Sequence, residues 1–240
     1  MAPSRRIAYG PAPSQFADLR LPEAPEPVPS VVLFHGGFWR AAYGLEPLDA
    51  LAAALTQACA VATWNVEYRR IGESGGGWPG TFEDSALALE AAPVDRSRVV
   101  LLGFSAGGQL ALHLAKRARV RGVVALAPVS DLEQAAALDL NRGVVSELLG
   151  GTPAQVPERY AAASPARLLP LGVPQVLVHG TADSEVPIAL SESYVSRARA
   201  GGDRAQLRAV QGADHFQLMD PGSRCWPIIR DAVLELLAEE

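Results

Sequence analysis

The sequence has little of what several specialised classes of protein require. Its 240 residues include two cysteines and four histidines, and the formal net charge is only −5. Charged residues are scattered, without the basic cluster of a nucleic-acid-binding surface. No apolar run approaches the roughly 18 residues of a membrane-spanning helix. No apolar segment follows Arg5 and Arg6, so we expect no secretory signal, a cytoplasmic location and reduced Cys59 and Cys225.

The sequence does contain enough apolar residues, 49% of the chain, to bury one sizeable core. Short apolar runs alternate with helical patterns from residue 31 onward, which predicts a single α/β domain over residues 1–240. Runs without polar alternation favour a mostly parallel central sheet with helices on both faces. These buried strands are expected at 31–34, 61–68, 99–102, 123–127 and 176–179, with helices at 45–58, 81–91, 109–115, 187–199 and 226–238.

Four stretches add to or depart from this regular pattern. Residues 16–21 alternate apolar with polar and predict a half-exposed edge strand, and the mixed polarity of 205–210 also suits a sheet edge. Thr81 to Asp84 resembles a capping box, with Thr81 as the helix cap. Residues 130–170 form short helical pieces broken by glycine and proline, which we interpret as a small cap-like insertion.

The most informative stretch is residues 103–107, which read Gly-Phe-Ser-Ala-Gly. This G-x-S-x-G pattern lies between a buried strand and an apolar helix, the setting of a nucleophile elbow. Side chains flanking such a turn must be very small, because a larger one would collide with the neighbouring strand or helix. The alternative is that Ser105 only caps the helix.

A serine hydroxyl is a weak nucleophile near neutral pH and needs a base. His215 lies in a loop between the last strand and the last helix, from which an imidazole can reach Ser105. We do not expect any of the other three histidines to be this base. His35 should orient a glycine loop, His113 should point away from the serine, and His179 should be a buried side chain with its hydrogen bonds satisfied.

The base in turn needs a carboxylate that fixes its tautomer. Asp183 follows the preceding strand and is the first candidate, with Glu185 as the alternative. Asp214 adjoins His215, so the backbone makes it hard for that carboxylate to reach the far ring nitrogen. Because all these residues follow strands, they should meet at one edge of the sheet.

An oxyanion also needs backbone donors. We assign the N–H of Ala106, directly after the serine, together with those of Gly37 and Phe38 in the run His-Gly-Gly-Phe-Trp at 35–39. The alternative is a glycine turn without chemical importance.

Aromatic residues near these loops predict an apolar pocket of modest size. We expect His35, Trp39 and Trp78 to lie around it, although each tryptophan could simply pack beneath its loop. Arg69 and Arg70 could bind a substrate carboxylate or pair with Glu67, Glu73 or Glu83, and we favour pairing.

With these residues in view, the chain resembles the α/β-hydrolase superfamily from about residue 16 onward. His35-Gly36-Gly37 is similar to the oxyanion loop of hormone-sensitive-lipase-like esterases, although those have a third glycine where this chain has Phe38. The fuller run 35–39 is closer to kynurenine formamidases (arylformamidases). Residues 179–187 resemble the acid-bearing segment of prolyl-oligopeptidase-type and dienelactone-hydrolase-type members.

The resemblance implies a Ser–His–Asp mechanism through an acyl-enzyme, with no metal and no organic cofactor. We therefore expect a carboxylesterase or arylformamidase-like enzyme whose partner is a small-molecule ester or amide. Two alternatives remain open: a small acyl-peptide or amide hydrolase of the prolyl-oligopeptidase-like type, and a non-catalytic receptor for a small ligand. A homodimer could form through the last helix or the edge strand.

Overall fold

A computed structural model describes residues 4–24 and 27–238. Within these residues, one sheet contains eight strands: β1 Arg5–Ala8, β2 Phe16–Arg20, β3 Ser30–Phe34, β4 Ala62–Val66, β5 Val99–Phe104, β6 Gly122–Leu126, β7 Gln175–Gly180 and β8 Ala205–Val210. The same part of the chain contains nine α-helices: α1 Asp49–Cys59, α2 Gly80–Ala91, α3 Ala106–Ala115, α4 Leu132–Ala137, α5 Val144–Leu149, α6 Pro157–Ala163, α7 Pro165–Leu168, α8 Ala189–Ala200 and α9 Trp226–Ala238.

The sheet is mostly parallel, which confirms the predicted fold class. The strands lie in the order β1-β2-β4-β3-β5-β6-β7-β8. Strands β3 to β8 run parallel to one another, and β1 and β2 are joined to them by antiparallel pairing. The carboxyl ends of six strands therefore meet at one edge, where open α/β sheets bind their ligands.

Both faces of the central strands β3 to β7 are buried, as the apolar strand runs predict. On β3, Val31 and Leu33 pack in a cluster with apolar residues of α1 and α9. Val32 and Phe34 point to the opposite face and join a cluster with residues of α2, α3 and α8. Successive side chains of a strand alternate between faces, so β3 needs apolar residues at every position.

The antiparallel end of the sheet corrects one expectation. β2 is not a half-exposed edge strand, because β1 covers one of its edges and β4 the other. Four of the five residues of β2 are buried, including Asp18, whose carboxylate binds Arg6 of β1 at 2.9 Å. A polar side chain that finds a partner across the strands can thus be buried, which the alternation of residue types alone does not reveal.

The start of α2 corrects another expectation. Thr81 lies inside the helix, whose cap position is Pro79 without a side-chain capping bond. The Thr81 hydroxyl instead donates to the carbonyl of Arg69 at 2.6 Å and accepts the N–H of Gly77 at 3.0 Å. The threonine therefore connects the three consecutive glycines at 75–77 to the segment that follows β4.

Two further observations concern the cysteines and the length of the helices. Cys59 and Cys225 are both free thiols, and Cys225 is buried in the core. Among the described residues, no helix combines the length and the apolar character needed to cross a membrane.

Candidate active site

The turn after β5 holds Ser105 in a strained backbone conformation. Its φ is +55° and its ψ is −115°, a region that residues other than glycine seldom occupy. Because α3 begins at the next residue, the hydroxyl stands at a helix N-terminus, where the helix dipole favours negative charge. The side chain makes no capping hydrogen bond, so the capping alternative for Ser105 is wrong.

The glycines on either side of Ser105 are required by close packing. A Cβ on Gly103 would overlap the backbone of Gly107, and a Cβ on Gly107 would overlap the carbonyl oxygens of Phe34 and His35. The requirement for very small flanking residues is thereby confirmed. The start of α3 is pressed against the end of β3, next to the loop at 35–39.

A buried carboxylate–imidazole pair lies at the same edge of the sheet. His215 Nδ1 is 2.6 Å from Asp183 Oδ2, and both side chains are almost fully buried. Asp183 Oδ1 accepts the backbone N–H groups of Glu185 at 2.9 Å and Val186 at 2.8 Å. Burial alone would raise the pKa of Asp183, but hydrogen bonds from His179 and His215 hold this pKa well below its usual range. Asp183 is therefore ionised and can orient the imidazole.

Of the three candidate carboxylates, Asp183 forms the ion pair with His215, and the side chains of Glu185 and Asp214 have other surroundings. Glu185 is exposed, and its contribution is the N–H that it donates to Asp183. Asp214 accepts the backbone N–H groups of Phe216 and Gln217 at 3.0 and 2.9 Å, within its own loop. The sequence order that favoured Asp183 as the partner of His215 thus agrees with the contact in the structure.

The His215 ring lies directly beside the serine turn. Its centroid is 4.6 Å from that of Phe104, the residue before Ser105, and 5.5 Å from that of Phe216. Within residues 4–24 and 27–238, neither the Ser105 hydroxyl nor His215 Nε2 has a hydrogen-bond partner. The structure therefore has no hydrogen bond between these two atoms, and geometry of this kind does not exclude the pair as reacting groups.

The loop after β3 has an unusual backbone. Gly37, Phe38 and Trp39 all have positive φ, at +102°, +51° and +55°. Gly37 is needed here, since a Cβ would also overlap Tyr43. The N–H groups of Gly37, Phe38 and Ala106 have no acceptor in the described part of the chain. They are free to donate to an external oxygen, as an oxyanion hole requires.

Comparison with known families supports this architecture. The family model described as alpha/beta hydrolase fold matches residues 31–219, which include the serine turn, the Asp183–His215 pair and the glycine loop. The chain belongs to the α/β-hydrolase family.

Relatives of this α/β-hydrolase include esterases. It is 34% identical to versiconal hemiacetal acetate esterase of Aspergillus parasiticus over 111 residues, which cover 42% of this chain and 34% of that protein. It is 28% identical to esterase LipC of Mycobacterium tuberculosis over 268 aligned positions, which cover 93% of this chain and 62% of that protein. The chain thus spans less than two thirds of either relative.

The solved structure of a truncated carbohydrate esterase from gut microbiota has the same fold. It matches with a TM-score of 0.84 at 18% identity, over 99% of this chain and 97% of that one.

A second buried histidine–carboxylate pair supports the glycine loop of this α/β-hydrolase. His35 Nε2 is 2.8 Å from Glu67 Oε1, and Nδ1 is 2.7 Å from the carbonyl of Gly36. The ring stacks on Tyr68 at 4.3 Å, and the residue is only 1% exposed. This corrects the expectation that His35 lines a pocket: it faces its own loop, as the expected orienting role requires.

The two tryptophans differ in exposure. Trp39 is fully buried, and its Nε1 donates to Gln109 Oε1 of α3 at 3.2 Å. It therefore packs beneath the loop and does not line a pocket, which corrects that expectation. Trp78 is half-buried and lies edge-on to Phe82 at 5.1 Å, so its exposed part is still a candidate for substrate contact.

Both arginines after β4 are held in ion pairs. Arg70 contacts Glu67 at 3.1 Å and Glu73 at 3.2 Å, which confirms the favoured interpretation. Arg69 instead binds Asp84 on α2 through two side-chain nitrogens, at 2.7 and 2.9 Å, a partner that the sequence analysis missed. Neither guanidinium is therefore positioned for a substrate carboxylate.

Helices α4 to α7 lie within residues 130–170 and contact the site from one side. The carbonyl of Leu148 accepts the N–H of Trp78 at 2.8 Å, and Glu147 forms an ion pair with Arg40 at 2.7 Å. The carbonyl of Ala163 accepts the Gln109 amide at 2.9 Å. These contacts hold the short helices against the loop around Trp78, the segment at Arg40 and helix α3. Their role as a cap stays a prediction.

Proposed function

We propose that this protein is a serine hydrolase that cleaves a small carboxylic ester or amide through an acyl-enzyme. One observation carries the proposal: the Asp183–His215 pair, joined at 2.6 Å, packs against the residue that precedes Ser105. The strained elbow supplies the nucleophile, the imidazole the base, and the carboxylate the orientation of the base.

Acylation begins when the substrate enters beside Ser105. Because His215 Nδ1 donates to Asp183, Nε2 carries the lone pair that removes the Ser105 proton. The serine oxygen attacks the carbonyl carbon, and the π electrons of the C=O bond move onto its oxygen. The imidazolium that forms is stabilised by Asp183, which stays ionised.

The tetrahedral intermediate then loses its leaving group. The free N–H groups of Gly37, Phe38 and Ala106 donate to the oxyanion. His215 passes its proton to the leaving oxygen or nitrogen, and the bond from that atom to the carbonyl carbon breaks. A water molecule repeats the sequence on the acyl-enzyme: His215 takes its proton, its oxygen attacks, and Ser105 leaves as the protonated alcohol.

An ester is the favoured substrate, because both sequence relatives reported above are named as esterases. A formamide is the second candidate, since residues 35–39 carry the His-Gly-Gly-aromatic-Trp run of the arylformamidases. The engagement of Arg69 and Arg70 in internal ion pairs argues against either guanidinium binding a substrate carboxylate.

Labelling with a fluorophosphonate probe tests the proposal. The wild-type protein should be labelled and Ser105→Ala should not. A hydrolysis panel of aryl esters of graded chain length plus N-formylkynurenine then separates the two substrate classes. Labelling that persists in Ser105→Ala would move the nucleophile elsewhere, and an inert wild-type protein would favour the receptor alternative.

A further inference from the structure

The carboxylate of Asp183 has two histidine partners, of which the proposed reaction uses one. His179 lies at the end of β7, and its Nε2 is 3.2 Å from Asp183 Oδ2. This is the same oxygen that accepts from His215 Nδ1. Asp183 thus accepts two backbone N–H groups on Oδ1 and the His215 ring on Oδ2, and the His179 ring lies beside Oδ2 as a further neighbour.

The surroundings of His179 assign its tautomer. Nε2 also lies 2.9 Å from the carbonyl of Val186. A carbonyl and a carboxylate can only accept, so Nε2 carries the hydrogen. Nδ1 lies 2.8 Å from the hydroxyl of Ser191, which can donate to it. The hydrogen on Nε2 of this fully buried side chain therefore points to the Val186 carbonyl, and Asp183 Oδ2 is its second, more distant acceptor at 3.2 Å.

The His179 ring and the backbone of Val186 together surround the carboxylate of Asp183. Val186 donates its N–H to Asp183 Oδ1 and offers its carbonyl to His179 Nε2. His179 is anchored in the sheet and tied to α8 through Ser191, whereas Asp183 sits on the loop that follows β7. The histidine thus connects the loop carboxylate to the two nearest regular elements.

We propose that His179 is a positioning residue that fixes the carboxylate plane of Asp183, so that Oδ2 faces His215. The proposal rests on the proposed function. The two backbone donors hold Oδ1, and the His179 ring, with Nε2 3.2 Å from Oδ2, lies against one side of that oxygen. His215 is then left with the remaining direction. Without His179 the carboxylate can rotate about its last bond, and the imidazole loses its fixed orientation.

Paired substitutions test this role. His179→Phe keeps a flat ring and removes the donor, whereas the side-chain amide of His179→Gln carries an N–H group near the position of Nε2. With p-nitrophenyl acetate as substrate, we expect kcat of His179→Phe to fall by about 10- to 100-fold, the range typical of residues that orient a reacting group. KM should stay within about twofold. His179→Gln should recover most of kcat.

A second readout does not depend on turnover. The proton shared by Asp183 and His215 should give a far-downfield signal in the proton NMR spectrum, which we expect to shift or broaden in His179→Phe and to return in His179→Gln. Thermal melts and circular dichroism show whether each variant is folded. If His179→Phe cannot be obtained folded, His179→Gln must keep most of kcat and the wild-type downfield signal, and loss of either in the folded variant overturns the inference.

The outcomes separate this inference from the proposed function. Equal loss of kcat in folded His179→Phe and His179→Gln overturns the inference and leaves a packing role. Wild-type kcat together with an unchanged downfield signal in His179→Phe overturns it as well. Full activity in Ser105→Ala overturns the proposed function instead, whatever the His179 variants do.

Discussion

Two buried histidine–carboxylate pairs lie at the same edge of this sheet, and they differ first in the partners of the two rings. His35 pairs with Glu67 and His215 with Asp183, at 2.8 and 2.6 Å. Both ring nitrogens of His35 have partners inside the protein. In the described part of the chain, His215 has a partner on Nδ1 alone, and its ring lies beside the serine turn. The pair alone does not make a base, because a base also needs a nitrogen that is left free towards the nucleophile.

The surroundings of the two carboxylates differ as well. Glu67 contacts the Arg70 guanidinium at 3.1 Å and accepts the N–H of Leu45 at 3.1 Å, so it connects three segments of chain. Asp183 is bound by two histidines and two backbone N–H groups, without an arginine. We expect Glu67 to act on stability and Asp183 on the reaction.

Substitutions of the two carboxylates should have the largest and most different effects on rate and stability. Asp183→Asn should lower kcat/KM by up to about ten-thousandfold, because the amide favours the wrong tautomer of His215. Glu67→Gln should act mainly on the free energy of unfolding, with a loss of about 3 kcal/mol, since it breaks a buried ion pair. Steady-state kinetics and denaturant titrations of both variants measure this. The exposed Glu185→Gln is the matched control and should behave like the wild type; a large rate loss there would reassign the acid.

Substituting the histidines gives the next largest effect. His215→Ala should lower turnover by at least about a thousandfold. His35→Ala should reduce stability by about 3 kcal/mol, because it leaves a cavity and removes one partner of the buried Glu67, while kcat/KM stays within about tenfold of the wild type. Comparable rate losses in the two variants would mean that the base has been assigned to the wrong ring.

The glycine loop that His35 supports can be tested separately. Gly37→Ala places a methyl group against Tyr43 at a φ of +102°, which should displace the donors and lower kcat by about a hundredfold. Gly172→Ala is the control, because its φ is +81° but no atom lies within 4 Å of the added carbon. That variant should lose about 1 kcal/mol of stability and no activity. Equal kcat in the two variants would remove the loop from the proposed mechanism.

A third histidine, His113, has no carboxylate partner among the described residues, and its effect should be on stability. Burial, with a smaller contribution from Arg117, lowers the pKa of His113 from 6.5 to about 4. The unfolded chain therefore binds a proton between pH 6.5 and 4 that the folded chain does not, so stability falls as the pH falls through this range. The loss should reach about 2 kcal/mol at pH 5.

His113→Leu should lack this part of the pH dependence, because the variant has no ring to titrate. Denaturant titrations at pH 7 and pH 5 measure it. A pH 5 loss of the same size in the variant would show that other groups cause it.

The sequence predicted this fold well where the signal is local. The buried strands β3, β5, β6 and β7 each read as a continuous apolar run, and parallel pairing brings the residues that follow them to one edge. The contact between His215 and Asp183 agrees with the order of the motifs, and the catalytic roles of these residues stay predictions.

The misses concern contacts between distant segments. β1 is a short stretch with polar positions, and only its pairing with β2 makes it a strand. Arg69 finds Asp84 because α2 folds back over the loop after β4. The second partner of Asp183 had a visible signal, since His179 precedes it by four residues, but its direction depends on the turn between them. Such contacts depend on tertiary geometry, which residue patterns do not contain.

The tight packing of Gly107 on the end of β3 limits which residues can be substituted near Ser105. A methyl group does not fit between α3, which starts directly after Ser105, and the end of β3, which leads to the loop at 35–39. A substitution at residue 107 would therefore displace the serine turn or that loop. Under the proposed function, a change of substrate preference would keep this contact and arise from the short helices between β6 and β7 or from the loop around Trp78.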